Sequence, residues 1–371
     1  MGREQLASIA NTRSAHRSPR AGTLPRERDG AKHARVSTRI PLRRRIEDGA
    51  RGVEALLDLV IPGAIWVDES SAAETIQDRV AAGEISATEA ANLRKFADDG
   101  YCILSIDFST SDAAEFDRGV DLLWREKPRN VAFAYDSPPL RFSTADEAKQ
   151  RRPRYRIHDL HSRFDLAQRL YLHPLLHRYA SLILGEPAVA TQSLYFEFGS
   201  QQVLHRDSIV VPTPRFGHLL AAWIALENID PESGALAYVP GSQKLPFYEF
   251  APGEYMFDGR RMGDREARAA MEYHDAECKR RGLESKLFLA KRGEVLLWHS
   301  ALLHGGGPVG DERLTRKSFV VHYSTMRNHP TREAAVAEDG GETVWTTREL
   351  LSRDGCFGYA NPLDGTFAYR R

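Results

Sequence analysis

Cysteine is scarce in this 371-residue chain: only Cys102, Cys278 and Cys356 are present. Their spacings fit neither a zinc site nor a disulfide framework, so a reducing, cytoplasmic setting is expected. Net charge is absent too, because 51 Lys and Arg balance 51 Asp and Glu. That balance gives no support for a protein built as a whole to bind nucleic acid. No apolar run approaches the roughly 20 residues of a membrane span, and the N-terminus lacks the apolar stretch of a secretory signal. No internal repeat is visible. With 42% hydrophobic residues, the chain can still bury one large core.

The balanced charge is unevenly placed. Residues 1–45 are rich in Arg, Ser and Pro, poor in acids, and end in Pro41-Leu42-Arg43-Arg44-Arg45. Such a segment cannot bury enough apolar surface to order itself. Residues 1–50 therefore read as a disordered basic extension; an arm for an acidic surface or nucleic acid and an organellar transit peptide are the other readings. Residues 51–371 read as a single domain. Its first part is helical: Ser86-x-x-Glu89 has capping-box spacing, Leu93, Phe96 and Ala97 follow at helical intervals, and Gly100 is a stop. Residues 101–108 read as a strand, Ser111 to Trp124 as a second helix, and His173 to Leu184 as a third.

After Pro187 the period changes. Residues 188–198, 218–228, 235–239, 286–298 and 316–325 are short β-branched and aromatic runs separated by turn residues. Many short strands at this spacing predict a mainly β fold with supporting helices, a sandwich or barrel with its core over about 188–326. Residues 246–285 interrupt it with a polar stretch, helix-prone from Arg265 to Arg280, and an insertion of that length in a β fold suggests a lid.

His205-Arg206-Asp207 lies among these runs. In an extended strand, residues two apart share a face, so His205 and Asp207 would stand side by side with Arg206 turned away. Among 13 histidines, chance alone can supply such a pair. A third candidate, His304, lies far downstream at the end of Glu294-Val-Leu-Leu-Trp-His299 and its continuation. Two His and one carboxylate leave positions open on a metal, the arrangement of non-haem Fe(II) oxygenases, where an oxoacid and O2 must both reach the iron. Arg316 follows and could pair bidentately with a carboxylate.

Three blocks then carry a resemblance: Leu204-His-Arg-Asp207; Ala222 to Ser242 with its Pro-Glu-Ser-Gly and Pro-Gly-Ser turns; and Arg292 to His304, running on to Arg316-Lys-Ser-Phe319. Over about residues 86–326 the chain resembles the phytanoyl-CoA dioxygenase family of Fe(II)- and 2-oxoglutarate-dependent oxygenases. The resemblance implies a double-stranded β-helix (jelly roll), Fe(II) held by His205, Asp207 and His304, and 2-oxoglutarate and O2 as co-substrates. It also implies Arg316 on the far carboxylate of 2-oxoglutarate, with Trp223 and Gln192 lining the same pocket. Two positions depart from the family pattern: Gly306 stands where relatives often have Ser, and Glu294 where they often have Asp. Asp207 itself matters, since related halogenases lack that carboxylate; its presence argues for hydroxylation, desaturation or another oxidation of a small molecule. A cupin-type metalloenzyme without 2-oxoglutarate, and a non-catalytic jelly roll, remain open. The basic run Arg151 to Arg156, with His158 and His161, reads most simply as solvated surface.

Overall fold

The computed structural model describes residues 64–360, except 129–130, 136–140, 145–150, 152–154, 212, 260, 330–331, 337–342 and 348. The extension expected over 1–50 lies outside the described residues.

The helices form where their caps direct them. Ser86 accepts from the Glu89 N–H, and the Glu89 carboxylate accepts from the Ser86 N–H at 2.8 Å, opening a helix over Ala87–Asp99. Gly100 ends it at φ 79°, and a Cβ there would lie 2.5 Å from Gln243 Oε1. Backbone and space both require glycine. The second helix, Thr110–Glu126, starts just before its apolar pattern because Ser109 and Asp112 make another capping box. The third spans Pro174–Leu184.

The strands are β1 (Tyr101–Ser105), β2 (Ala132–Tyr135), β3 (Arg141–Thr144), β4 (Tyr155–His158), β5 (Ala188–Phe196), β6 (Leu220–Ala225), β7 (Leu236–Tyr238), β8 (Lys286–Phe288), β9 (Glu294–His299), β10 (His304–Gly306) and β11 (Ser318–Thr325). Near the C-terminus β12 (Arg332–Val336) pairs with β13 (Thr343–Thr347), and β14 (Leu350–Arg353) with β15 (Cys356–Tyr359). The large sheet runs β1-β9-β6-β11-β5-β4-β2-β3, with β15 bridging to β5, and a small sheet runs β10-β7-β8. This is the jelly roll: two sheets with an apolar layer between them.

Strand alternation sorts the core into two layers. Leu220, Ala222 and Ile224 of β6 and Phe319, Val321 and Tyr323 of β11 join Phe96, Phe116 and Ile183 from the helices on the outer side. Ala221, Trp223, Leu296, Trp298 and Val320 face inward to Leu236, Tyr238 and Phe288 of the small sheet. Three differences from the sequence reading stand out. The run 286–298 is two strands in different sheets, because the chain turns at Gly293. The sheet extends beyond 188–326, taking in β1 to β4, whose short length hides any alternation, and β14–β15. The end of the basic run and the two histidines after it are not surface: Arg156, His158 and His161 are buried.

The insertion is a loop followed by the helix Asp264–Arg281. Phe247, Phe257 and Ala267 pack on Ile209 and Ala301, next to the His205 segment. Arg206 fastens it. This fully buried side chain donates to the carbonyls of Ser242 (2.9 Å), Leu245 (3.1 Å) and Pro246 (3.3 Å), and its guanidinium lies 4.6 Å from the Phe247 ring centre. Arg206 does turn away from its neighbours' side chains, but into the insertion and not into water. Among the described residues, no helix is long and apolar enough to cross a membrane, and all three cysteines are buried and unpaired.

Several histidines are buried in their neutral form. Burial pushes His161 down to about 3, and burial with the Arg206 charge does the same for His274. His161 lies flat on Tyr171, ring centres 3.7 Å apart, and meets Ser193 Oγ at 2.7 Å and the Tyr359 carbonyl at 3.0 Å. A base whose folded pKa is depressed stabilises the fold above its unfolded value of 6.5, and that share is lost as pH falls toward the folded pKa. Asp159, pushed up to about 7 by burial, works the other way and is outnumbered. The melting temperature should therefore fall between pH 6.5 and pH 5, above the range of ordinary carboxylates, and His161→Gln should make that fall shallower. A melting temperature that is flat across this interval would contradict the assignment.

Candidate metal centre and carboxylate pocket

The centre is made by two backbone segments that hold each other. His205 and His304 form an isolated antiparallel bridge, with His205 N–H to His304 O at 2.8 Å and His304 N–H to His205 O at 3.0 Å. His304 opens β10 in the small sheet and does not continue β9. Asp207 is not in a strand either: it is the first residue of a short helical turn, Asp207–Val210. Arg206 between them is extended (φ −111°, ψ 131°), so His205 and Asp207 still share a side.

Each imidazole is locked by its own chain. His205 Nδ1 meets the Val203 carbonyl at 2.9 Å and His304 Nδ1 the Leu302 carbonyl at 3.0 Å. A carbonyl only accepts, so both Nδ1 atoms carry the hydrogen and both Nε2 atoms present a lone pair. Asp207 Oδ1 lies 3.8 Å from His205 Nε2 and 3.5 Å from His304 Nε2, and the three ligand atoms lie within 4.8 Å of one another. Burial, and next the neighbouring His304, push His205 down to about 4. Burial alone would raise Asp207, but His304, His322 and His205 hold it well below the usual carboxylate range. Three potential metal ligands thus converge in a buried place. A cation fits that donor set, and the spacings are slightly wider than the ~3.0–3.4 Å expected of atoms bound about 2.1 Å from one metal.

The other oxygen of Asp207 is also held. Trp298 Nε1–H donates to Asp207 Oδ2 at 2.9 Å, the Trp298 ring lies 4.5 Å from that of His304, and His322 Nε2 stands 3.8 Å from Oδ2. Neither Trp298 nor His322 was singled out in the sequence, although both are inward positions of β9 and β11.

The expected carboxylate pocket lies between the sheets. Arg316 is buried, donates Nη1–H to Ser318 Oγ at 2.9 Å, and places its guanidinium 5.5 Å from the Trp223 ring centre and 5.4 Å from that of Phe196. Trp223 is a core residue, packing edge-on to Phe288 at 5.8 Å, whose ring also faces the Arg316 guanidinium. Gln192 sits opposite His322 and shares the inward face of Leu194 and Phe196 by ordinary alternation, with its Nε2 3.4 Å from His158 Nδ1. Ser318 was overlooked; its signal is the two-residue spacing from Arg316. Gly306 has a local reason: a Cβ would lie 2.5 Å from Gln201 N and 2.7 Å from Ser200 Oγ. A serine cannot fit there, and Ser200 and Ser318 are the hydroxyls this chain offers instead.

Comparison with known proteins bears on this arrangement. The family described as "Phytanoyl-CoA dioxygenase (PhyH)" matches residues 96–317, well over half of the chain. The chain belongs to the phytanoyl-CoA dioxygenase family. Two curated relatives carry the name "Phytanoyl-CoA dioxygenase, peroxisomal". The Bos taurus protein is 24% identical over 130 residues (35% of either chain), and the Rattus norvegicus protein 27% over 127 residues (34% of either chain). The chain thus spans about a third of the length of the curated relatives it matches. Among solved structures, the nogalamycin-biosynthesis carbocyclase SnoK is similar at TM-score 0.47 and 16% identity, covering 66% of this chain and 86% of that one. EctD from S. alaskensis is similar at 0.46 and 21%, covering 66% and 78%. In this member of the phytanoyl-CoA dioxygenase family, Trp298→Phe keeps the packing and deletes the hydrogen bond to Asp207. Metal titration should then show affinity reduced by about 10- to 100-fold; an unchanged affinity would remove Trp298 from the centre.

Proposed function

We propose that the chain is an Fe(II)- and 2-oxoglutarate-dependent dioxygenase that hydroxylates or desaturates a small molecule, with His205, Asp207 and His304 as iron ligands. The observation that carries this reading is the three converging acceptors, two of them fixed as Nε2 lone pairs by their own backbone. Iron with 2-oxoglutarate and O2 supplies oxidative decarboxylation to succinate and CO2, and with it the oxidising power to attack an unactivated C–H bond.

The chain's own residues do the rest. His205 and His304 stay aimed at the metal through Nε2 because their Nδ1 hydrogens are committed. Trp298 occupies Asp207 Oδ2 and leaves Oδ1 for the metal. Arg316, steadied by Ser318, offers its guanidinium to the far carboxylate of 2-oxoglutarate, with Trp223 and Gln192 as walls. The apolar layer between the sheets keeps water from the reaction. Intact Asp207 favours oxidation over halogenation, and a buried arginine beside a serine supports 2-oxoglutarate use over a cupin that lacks it.

The remaining assignments follow the same reading. Residues 51–371 are one oxygenase domain behind a basic extension, residues 246–285 are its lid, and the partner is a small molecule and not nucleic acid. Three buried, unpaired cysteines support a reducing, cytoplasmic setting.

Asp207→Ala should abolish 2-oxoglutarate-dependent succinate release. Retained turnover would sink the ligand assignment. Arg316→Leu removes one partner of a buried charge pair, at about 2–5 kcal/mol, so the KM for 2-oxoglutarate should rise at least ~30-fold, and less so in Arg316→Lys. An unchanged KM would point to a metalloenzyme with a different co-substrate.

A further inference from the structure

Arg156 carries a charge that no acid answers among the described residues. It is 6% exposed. Its neighbour in the basic run, Arg151, is answered by Glu197 at 2.7 Å and also by Asp121. The Arg156 side chain makes no hydrogen bond or ion pair among the described residues, and its Nε is buried without a partner. A buried guanidinium left in this state is costly unless an anion meets it.

Its direction follows from the register. In β4, Arg156 pairs with Phe196 and His158 with Leu194, while Tyr155 and Ile157 belong to the helix-side core. Phe196 and Leu194 belong to the inner layer, and Phe196 is the ring beside Arg316. Arg156 therefore stands on the inward face, and its charge helps to depress both His158 and His205. Burial first, and then Arg156 and His322, keep His158 well below the usual range, so it stays uncharged. The nearest acid along the chain, Asp159, accepts from the Ser193 N–H at 3.1 Å instead.

We infer that Arg156 recognises an anionic group, carboxylate or phosphate, on the molecule that is oxidised. The inference rests on the co-substrate reading and extends it by a count of charges. Fe(II), the Asp207 carboxylate, the 2-oxoglutarate dianion and the Arg316 cation cancel. Arg156 adds one positive charge to that neutral set, inside a low-dielectric pocket where each unmatched charge is felt strongly. A monoanionic substrate restores balance, and a neutral one does not. Binding of the anion would hold the substrate near the metal by a fork of N–H donors, which a lysine would serve less well.

The test uses full-length protein loaded with Zn(II), which is redox-inert, so that binding is read without turnover. Titration with 2-oxoglutarate alone comes first: binding that fails in wild type overturns the co-substrate reading, separately from the present one. The 2-oxoglutarate-saturated protein is then titrated with acetate, octanoate and inorganic phosphate, with acetamide and octanamide as neutral counterparts. At least one anion should bind wild type, with a carboxylate roughly 10-fold tighter than its amide or phosphate saturating in the same range. Arg156→Met should erase that preference while leaving the 2-oxoglutarate Kd within a factor of about two, and Arg156→Lys should restore part of it. Two results overturn the inference: no anion binding to wild type, or an Arg156→Met variant that weakens 2-oxoglutarate as much as Arg316→Leu does, which would assign Arg156 to the co-substrate.

Discussion

The pair of backbone hydrogen bonds between His205 and His304 is the constraint on which the site depends. It joins a loop following β5 to the first residue of β10, two segments far apart in sequence, and fixes both imidazoles at one distance. Side-chain chemistry then follows from backbone position. Each histidine gives its Nδ1 hydrogen to a carbonyl two residues earlier in its own segment, so the ring direction is set by the same backbone that makes the bridge. Glycine follows directly: a Cβ at Gly305 would lie 2.5 Å from the Gln202 carbonyl oxygen. The close approach of the two segments leaves no room for a side chain on this side.

Much of this was readable before the structure. The capping boxes, the glycine stops and the change of period after Pro187 fix helices and strands because they are local effects, decided within a few residues. His205 and Asp207 could be paired from spacing, although for a partly wrong reason. The two-residue rule assumes a strand, whereas the chain leaves extended conformation at Asp207 and starts a helical turn. The rule survives because only the residue between them, Arg206, has to be extended.

What the sequence hid is what long-range register decides. Nothing local shows that β8 and β9 belong to different sheets, or that Trp298 reaches Asp207 across 91 residues of chain. Arg156 is the clearest case. An arginine in a run of arginines reads as solvated because most are, and four-residue β4 is too short to display alternation. Only its pairing with β5 turns Arg156 and His158 inward. Gln192 keeps the alternation of Leu194 and Phe196, but the bulge between His322 and Tyr323 moves the start of β5 by one residue, a shift that no local pattern announces.

The distribution of charge between the sheets carries the last step. Two arginines, Arg206 and Arg316, are buried by different means. Arg206 is matched by three carbonyls and an aromatic face, a permanent arrangement that ties the insertion to the metal-ligand segment. Arg316 meets a hydroxyl and two aromatic rings, groups that orient a guanidinium. A direction set before a ligand arrives lowers the ordering cost of binding. Under the proposed function, the same fold would use one buried arginine as a rivet and the other as a receptor for a carboxylate.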